Sequence, residues 1–136
     1  MSNILTLDLA KMLISEAETT ATEKGLKMTF AVVDEGGHLV ALHRMDNVEW
    51  ISVDVAIGKA YTAAAFKTTS EDVAKRGEKL PMFVNAITTV TQGKYIPQKG
   101  GLPIMINEEV VGAVGASGAS GEEDVAVLET ALDKVF

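Results

Sequence analysis

The sequence predicts an α/β fold of the α+β kind, an antiparallel sheet with helices packed around it. Three observations carry this. Two pairs of β-rich runs are each joined by a short turn, which is hairpin chemistry and not βαβ alternation. Amphipathic helical segments open and close the chain. The first β-rich run, residues 28–34, tolerates burial along both Met28/Phe30/Val32 and Thr29/Ala31/Val33, as in a strand covered on each face.

Thr6 is a plausible N-cap, Asp8 suits the first turn, and Leu9, Leu13, Ala17 and Ala21 recur every four residues until Gly25, a natural helix stop. Residues 28–34 and 39–44 then form a hairpin across Glu35, Gly36 and Gly37. Ser52 is expected to cap a helix through Phe66, whose Ala56, Ala60, Ala63 and Ala64 make a small-residue face for close approach to the sheet. Gly58 weakens that helix in isolation, so packing must offset it. Ser70, Glu71 and Asp72 start a short helix ending near Gly77. One helical turn at 82–88 and a short strand around Tyr95 and Ile96 are expected next.

Residues 102–106 and 110–116 make the second hairpin, across Asn107, Glu108 and Glu109. Ser120 through Glu123 reads as a capping box, and Val125, Leu128, Leu132 and Val135 give the last helix its buried stripe. The expected order is therefore α-β-β-α-(α)-β-β-β-α, with five strands. Gly100, Gly101, Gly112, Gly115, Gly118 and Gly121 punctuate this region. They admit two readings: a helix lying close against the sheet, or a pocket walled by bare backbone.

A chain of 136 residues with 47% apolar content suits a single domain, residues 1–136. A net charge of −7 with singly scattered Lys and Arg argues against nucleic acid. No cysteine is present, which removes disulfides, thiolate nucleophiles and cysteine-held metals. Met1 to Thr6 lacks a basic leader, and no apolar run reaches the roughly 18 residues of a membrane span. A cytoplasmic protein without a membrane partner is the expectation.

The glycines from 112 to 121 recur every third residue and never match the dinucleotide spacing, and Glu122, Glu123 and Asp124 crowd the following helix start with negative charge. No nucleotide is expected there. The same acidic trio reads as helix capping, and Asp34, Asp46 and Asp54 as turn, cap and surface residues. No metal site is expected. His38 and His43, five apart along a strand, cannot readily share a metal, but either could ligate a haem iron singly or act as a base. Arg44 and Lys59 sit beside apolar segments and could meet a ligand carboxylate. The alternatives are that Arg44 pairs with Asp46 or Asp54 and that Lys59 snorkels to solvent.

Ala31-Val32-Val33-Asp34-Glu35-Gly36-Gly37-His38-Leu39-Val40-Ala41, Arg44-Met45-Asp46, Lys59-Ala60-Tyr61-Thr62-Ala63-Ala64, Gly100-Gly101-Leu102-Pro103-Ile104 and the run from Val110 to Gly118 resemble, in order, the GlcG/HbpS family, which includes the C-terminal domain of PduO-type proteins. The resemblance runs from about residue 5 to the end. It implies a profilin-like or PAS-like sandwich with a five-stranded antiparallel sheet and helices on both faces. It also implies self-association, as dimers or larger assemblies such as octamers. Members are linked to haem binding or degradation, redox stress and the utilisation of small metabolites.

Haem needs an apolar slot, an axial ligand and often a cation for its propionates. The resemblance makes Arg44, Lys59, Gly100, Gly101 and Phe66 candidate ligand-binding residues, with Met12, Phe30 and Phe66 as apolar wall. In PduO-like haem binders the axial ligand is a histidine on the first helix. Residues 6–24 here contain none, and Met12 is the only soft side chain there, so His38, His43 and Met12 are the axial candidates. The leading expectation is a homo-oligomeric small-ligand-binding protein with haem the first ligand to test. An enzyme acting on a small oxoacid-like metabolite, with Arg44 gripping the carboxylate, and a non-catalytic assembly subunit are the alternatives.

Overall fold

Thr6 caps the first helix as its sequence suggests: its hydroxyl accepts from the Leu9 amide at 3.1 Å, and α1 (Leu7–Glu23) follows in this computed structural model, which describes residues 4–136. The expectation about a leader rests partly on Met1, Ser2 and Asn3, which lie outside the described residues. β1 (Thr29–Asp34) and β2 (Leu39–Arg44) make the first hairpin, and β3 (Gly101–Ile106) and β4 (Glu109–Ser117) the second. Between them lie α2 (Ile51–Phe66), α3 (Ser70–Gly77) and α4 (Pro81–Val90), and α5 (Gly121–Val135) closes the chain.

All strand pairs are antiparallel, in the order β2-β1-β4-β3. Pairing the first strand of one hairpin with the second of the other places β1 and β4 centrally. That explains why β1 is buried along both faces. Phe30 and Val32 face a layer made by α1 and α5, where Leu13, Ile14, Val127 and Leu128 are fully buried. Each such side chain contributes about 1.5–3 kcal/mol by leaving water. Val33 and Ala113 face α2 through Ala60, Ala63 and Ala64.

Alanine on the helix and glycine on the sheet bring these layers together. Gly115 and Gly101 stand opposite each other in the β3–β4 register. A Cβ at 115 would run into the Ala56 carbonyl and stand 2.8 Å from the Ala60 amide, and one at 101 would run into the Lys59 carbonyl. These two glycines therefore serve close helix–sheet approach, the first of the two readings.

Three expectations need correction. The sheet has four strands among the described residues, not five. Around Tyr95 and Ile96 the Ile96 amide donates to the Thr62 hydroxyl at 2.8 Å, so a helix side chain takes the donor that a ladder would have used. Ser52 does not cap α2: Trp50 holds the cap position without a side-chain bond, and Ser52, buried as the second residue of the helix, lies with its hydroxyl 2.6 Å from that of Thr29. The turn expected at 82–88 is a longer helix, α4, begun by Pro81 at a position where its missing N–H costs nothing. Nothing on α4 is buried, and Met82, Phe83 and Val90 face outward.

The last helix begins with the capping box read from the sequence. Ser120 accepts from the Glu123 amide at 3.1 Å, and the Glu123 carboxylate accepts from the Ser120 amide at 3.0 Å.

Candidate functional site

Two concave regions lie at opposite edges of the sheet. The first is a groove of about 630 Å³ between α1 and the edge strand β2. Leu7, Lys11, Ser15 and Glu18 line it because they repeat at three- and four-residue spacing along one face of α1. Met12 also faces it and is 53% exposed. Ala41, Leu42 and His43 form the opposite wall.

Across this groove His43 Nδ1 lies 2.9 Å from Glu18 Oε1. A carboxylate only accepts, so the pairing places a proton on Nδ1, and in the neutral imidazole the lone pair then sits on Nε2. A carboxylate behind a histidine in this way is the arrangement that orients imidazole for a metal.

The second region is a cleft of about 840 Å³ beside α3, the segment 95–99 and the start of α5. At its floor Lys59 Nζ donates to the Ala116 carbonyl at 2.9 Å and to Asp124 Oδ2 at 3.1 Å. The two side chains are 7% and 1% exposed. Burial pushes the Asp124 carboxyl up to about 6, against the opposing charge and hydrogen bond of Lys59 and the nearby Ala119 amide. Its other oxygen, Oδ1, is buried without a hydrogen-bond partner. Gly100, at φ +122°, leaves room for the ammonium: a Cβ there would stand 2.8 Å from Lys59 Nζ.

The rim of the cleft is charged but internally paired. Lys99 Nζ lies 2.9 Å from Glu122 and 3.7 Å from Glu71, which also meets Lys75 at 3.4 Å. The hydrogen bond to Glu122, then the charges of Glu122 and Glu71, raise the Lys99 pKa, and Lys99 in turn lowers that of Glu122. Burial raises the Tyr95 phenol.

The structure brings together Met12 and His43, two of the three axial candidates. His38 is apart, 83% exposed at the β1–β2 turn with Nδ1 3.3 Å from Asp34 Oδ1. Asp34 is the turn residue expected: burial opposes its ionisation, but the His38 and Gly36 amides outweigh this and lower its pKa.

Lys59 lines the second region and not the histidine groove, while Gly100 and Gly101 pack against Lys59 without lining the cleft themselves. Arg44 ends β2 exposed, and among the described residues neither Asp46 nor Asp54 pairs with it. Lys59 does not snorkel, because Asp124 and the Ala116 carbonyl hold its ammonium inside. The expected wall of Met12, Phe30 and Phe66 does not form. Phe30 is wholly buried in the core, while Phe66 stacks near Phe83 and Tyr95, with ring centroids 6.5 and 6.0 Å away.

The sequence did not single out Glu18 or Lys11, and it read Asp124, with Glu122 and Glu123, as helix capping; the structure instead buries the Asp124 side chain against Lys59. Asp124 carried a signal, since it shares the buried face of α5 with Val127, Leu128 and Ala131 at spacings of three, four and seven. Lys59 likewise lies among Ala56, Ala60 and Ala63 on the sheet-facing side of α2. A charge placed within an apolar stripe was the clue. Glu18 carried none, because its partner lies 25 residues away on another element.

Among known proteins, the family model described as "Haem degrading protein HbpS-like" matches residues 5–133. A Citrobacter freundii protein, the uncharacterized 15.0 kDa protein of the dhaT-dhaS intergenic region, is 35% identical over 129 residues, 95% of this chain and 90% of that one. Protein GlcG of Escherichia coli K12 is 30% identical over 117 residues, 84% of this chain and 81% of its own. The crystal structure of a PduOC:heme complex superposes with a TM-score of 0.86 at 25% identity, covering 96% of this chain and 94% of that one. On the family match, the relatives and the shared fold, this chain belongs to the HbpS-like family.

Proposed function

We propose that this protein binds haem in the groove between α1 and β2, with His43 as the axial ligand to iron. The observation that carries the reading is the 2.9 Å pairing of His43 Nδ1 with Glu18, which fixes the ring and leaves Nε2 of the neutral imidazole for a metal, at a groove also lined by Met12 and Lys11. The groove's volume of about 630 Å³ falls in the range of about 300–1,000 Å³ typical of small-molecule sites. The solved haem complex of a relative with the same fold supports the choice of ligand.

In this reading Glu18 fixes the imidazole tautomer and Lys11 neutralises a propionate. Leu7, Ala41 and Leu42 would give the bound group an apolar wall. Met12 offers a soft thioether on the helix wall. Haem, when bound, supplies an iron centre for one-electron and oxygen chemistry.

Haemin titrated into the apoprotein should give a saturable Soret band at one equivalent per chain. His43→Ala should abolish it, His38→Ala should leave it intact, and Glu18→Gln should weaken affinity by roughly 10–100-fold. A band that survives His43→Ala, or featureless broadening without saturation, would overturn the assignment.

A further inference from the structure

The Lys59–Asp124 pair has bonding capacity that the described protein does not use. The ammonium carries three N–H donors, and only the Ala116 carbonyl and Asp124 Oδ2 take one each. The carboxylate carries two oxygens, and Oδ1 has no hydrogen-bond partner although only 1% of the Asp124 side chain is exposed. Both residues line a cleft of about 840 Å³, so an unused donor and an unused acceptor lie side by side just beneath its floor.

The rim narrows what could fit. Lys99 is engaged by Glu122 and Glu71, and Lys75 by Glu71, so no free cation among these waits for an anion. The acidic first turn of α5 repels one further. A ligand ammonium could donate to Oδ1 but would meet the charge of Lys59; a ligand carboxylate could accept from Lys59 but would meet that of Asp124. Val55, Val84, Pro97 and the Tyr95 ring offer apolar wall above the pair. An uncharged group that donates and accepts from neighbouring positions satisfies both atoms at once.

We infer that the floor of this cleft, Lys59 and Asp124, is a second binding site, taking an uncharged small molecule through a primary carboxamide or a hydroxyl. The ligand N–H or O–H donates to Asp124 Oδ1, its oxygen accepts from Lys59 Nζ, and its apolar body lies against Val55 and Val84. The site is independent of the haem reading, since it shares no lining residue with the α1–β2 groove.

The test is an amide NMR titration of the haem-free full chain with isobutyramide and 2-methylpropan-1-ol, beside N,N-dimethylisobutyramide, which cannot donate. Saturable shifts confined to residues 95–99 and 119–124, with the dimethyl compound at least about tenfold weaker, are expected. Asp124→Asn, with its fold verified by the same spectrum, should lose this preference for a donating ligand. Should that variant not fold, the comparison of the two amides on the wild-type chain decides. Equal binding of both amides reveals only an apolar cleft and overturns the proposal, as does the absence of saturable shifts with both isobutyramide and 2-methylpropan-1-ol. A bound water on Oδ1 that neither probe displaces also overturns it.

Discussion

Acidification should stabilise this fold through one group, Asp124, against the usual direction. Burial raises its carboxyl to about 6 from the ordinary 3.8, with Lys59 opposing the rise incompletely. Between those two values the native chain holds a proton that the unfolded chain has released. Stability from this group is therefore gained as pH falls through 6 toward 4 and lost as pH rises again. At about 1.4 kcal/mol per pH unit, the gap corresponds to about 3 kcal/mol in the limit, and to about 2 kcal/mol between roughly pH 7.5 and 4.5. Asn at 124 cannot titrate, whereas a carboxylate away from it, such as Asp34 at the β1–β2 turn, titrates alike in both chains. Urea unfolding of wild type and Asp124→Asn across that range isolates the effect: the wild-type advantage should grow, or its deficit shrink, by about 2 kcal/mol on acidification. Carbon-13 NMR of labelled aspartate carboxyls gives the second readout. A carboxyl at 124 that titrates at or below 4, or a stability difference moving the other way, would refute this balance of burial and pairing.

Two further substitutions probe the packing that shapes the cleft. Gly115→Ala should destabilise the chain by about 1–3 kcal/mol or more, because its methyl meets the α2 backbone at Ala56 and Ala60 and not a yielding side chain; an unchanged melting temperature would contradict the close helix–sheet contact. Ser70→Ala removes the hydroxyl that accepts from the Gly101 amide at 2.8 Å and donates to the Gln98 carbonyl. A cost of about 1–3 kcal/mol and faster amide exchange at Gly101 are expected, and native exchange at Gly101 in this variant would count against the hydroxyl as its latch.

Local chemistry was readable in advance where partners are close in sequence. The Thr6 cap, the Asp34 turn and the Ser120–Glu123 box each complete themselves within a few residues, so residue type and spacing determine them. Ser52 misled because its hydroxyl could serve either the helix start or the sheet, and Thr29, 23 positions earlier, took it. Tyr95 and Ile96 have strand-forming side chains, yet Thr62 and Phe66 claim their backbone and ring. The candidate sites were harder still. His43 and Met12 were both nominated, but only the folding of β2 alongside α1 puts them in one groove, with Glu18 behind the imidazole. Lys59 and Asp124 are 65 residues apart and become a pair only when α2 and α5 reach the same end of the sheet.

That last pairing bears on how the molecule opens. α2 lies on one face of the sheet and α5 on the other, so the contact from Lys59 to Asp124 and the Ala116 carbonyl runs past the strand ends like a pin through a laminate. Sliding either helical layer along the sheet would shear this buried ion pair together with the layer's apolar contacts. The middle of α2 and the first turn of α5 should therefore exchange their amide hydrogens through one shared opening, while α4, with nothing buried, exchanges independently and sooner.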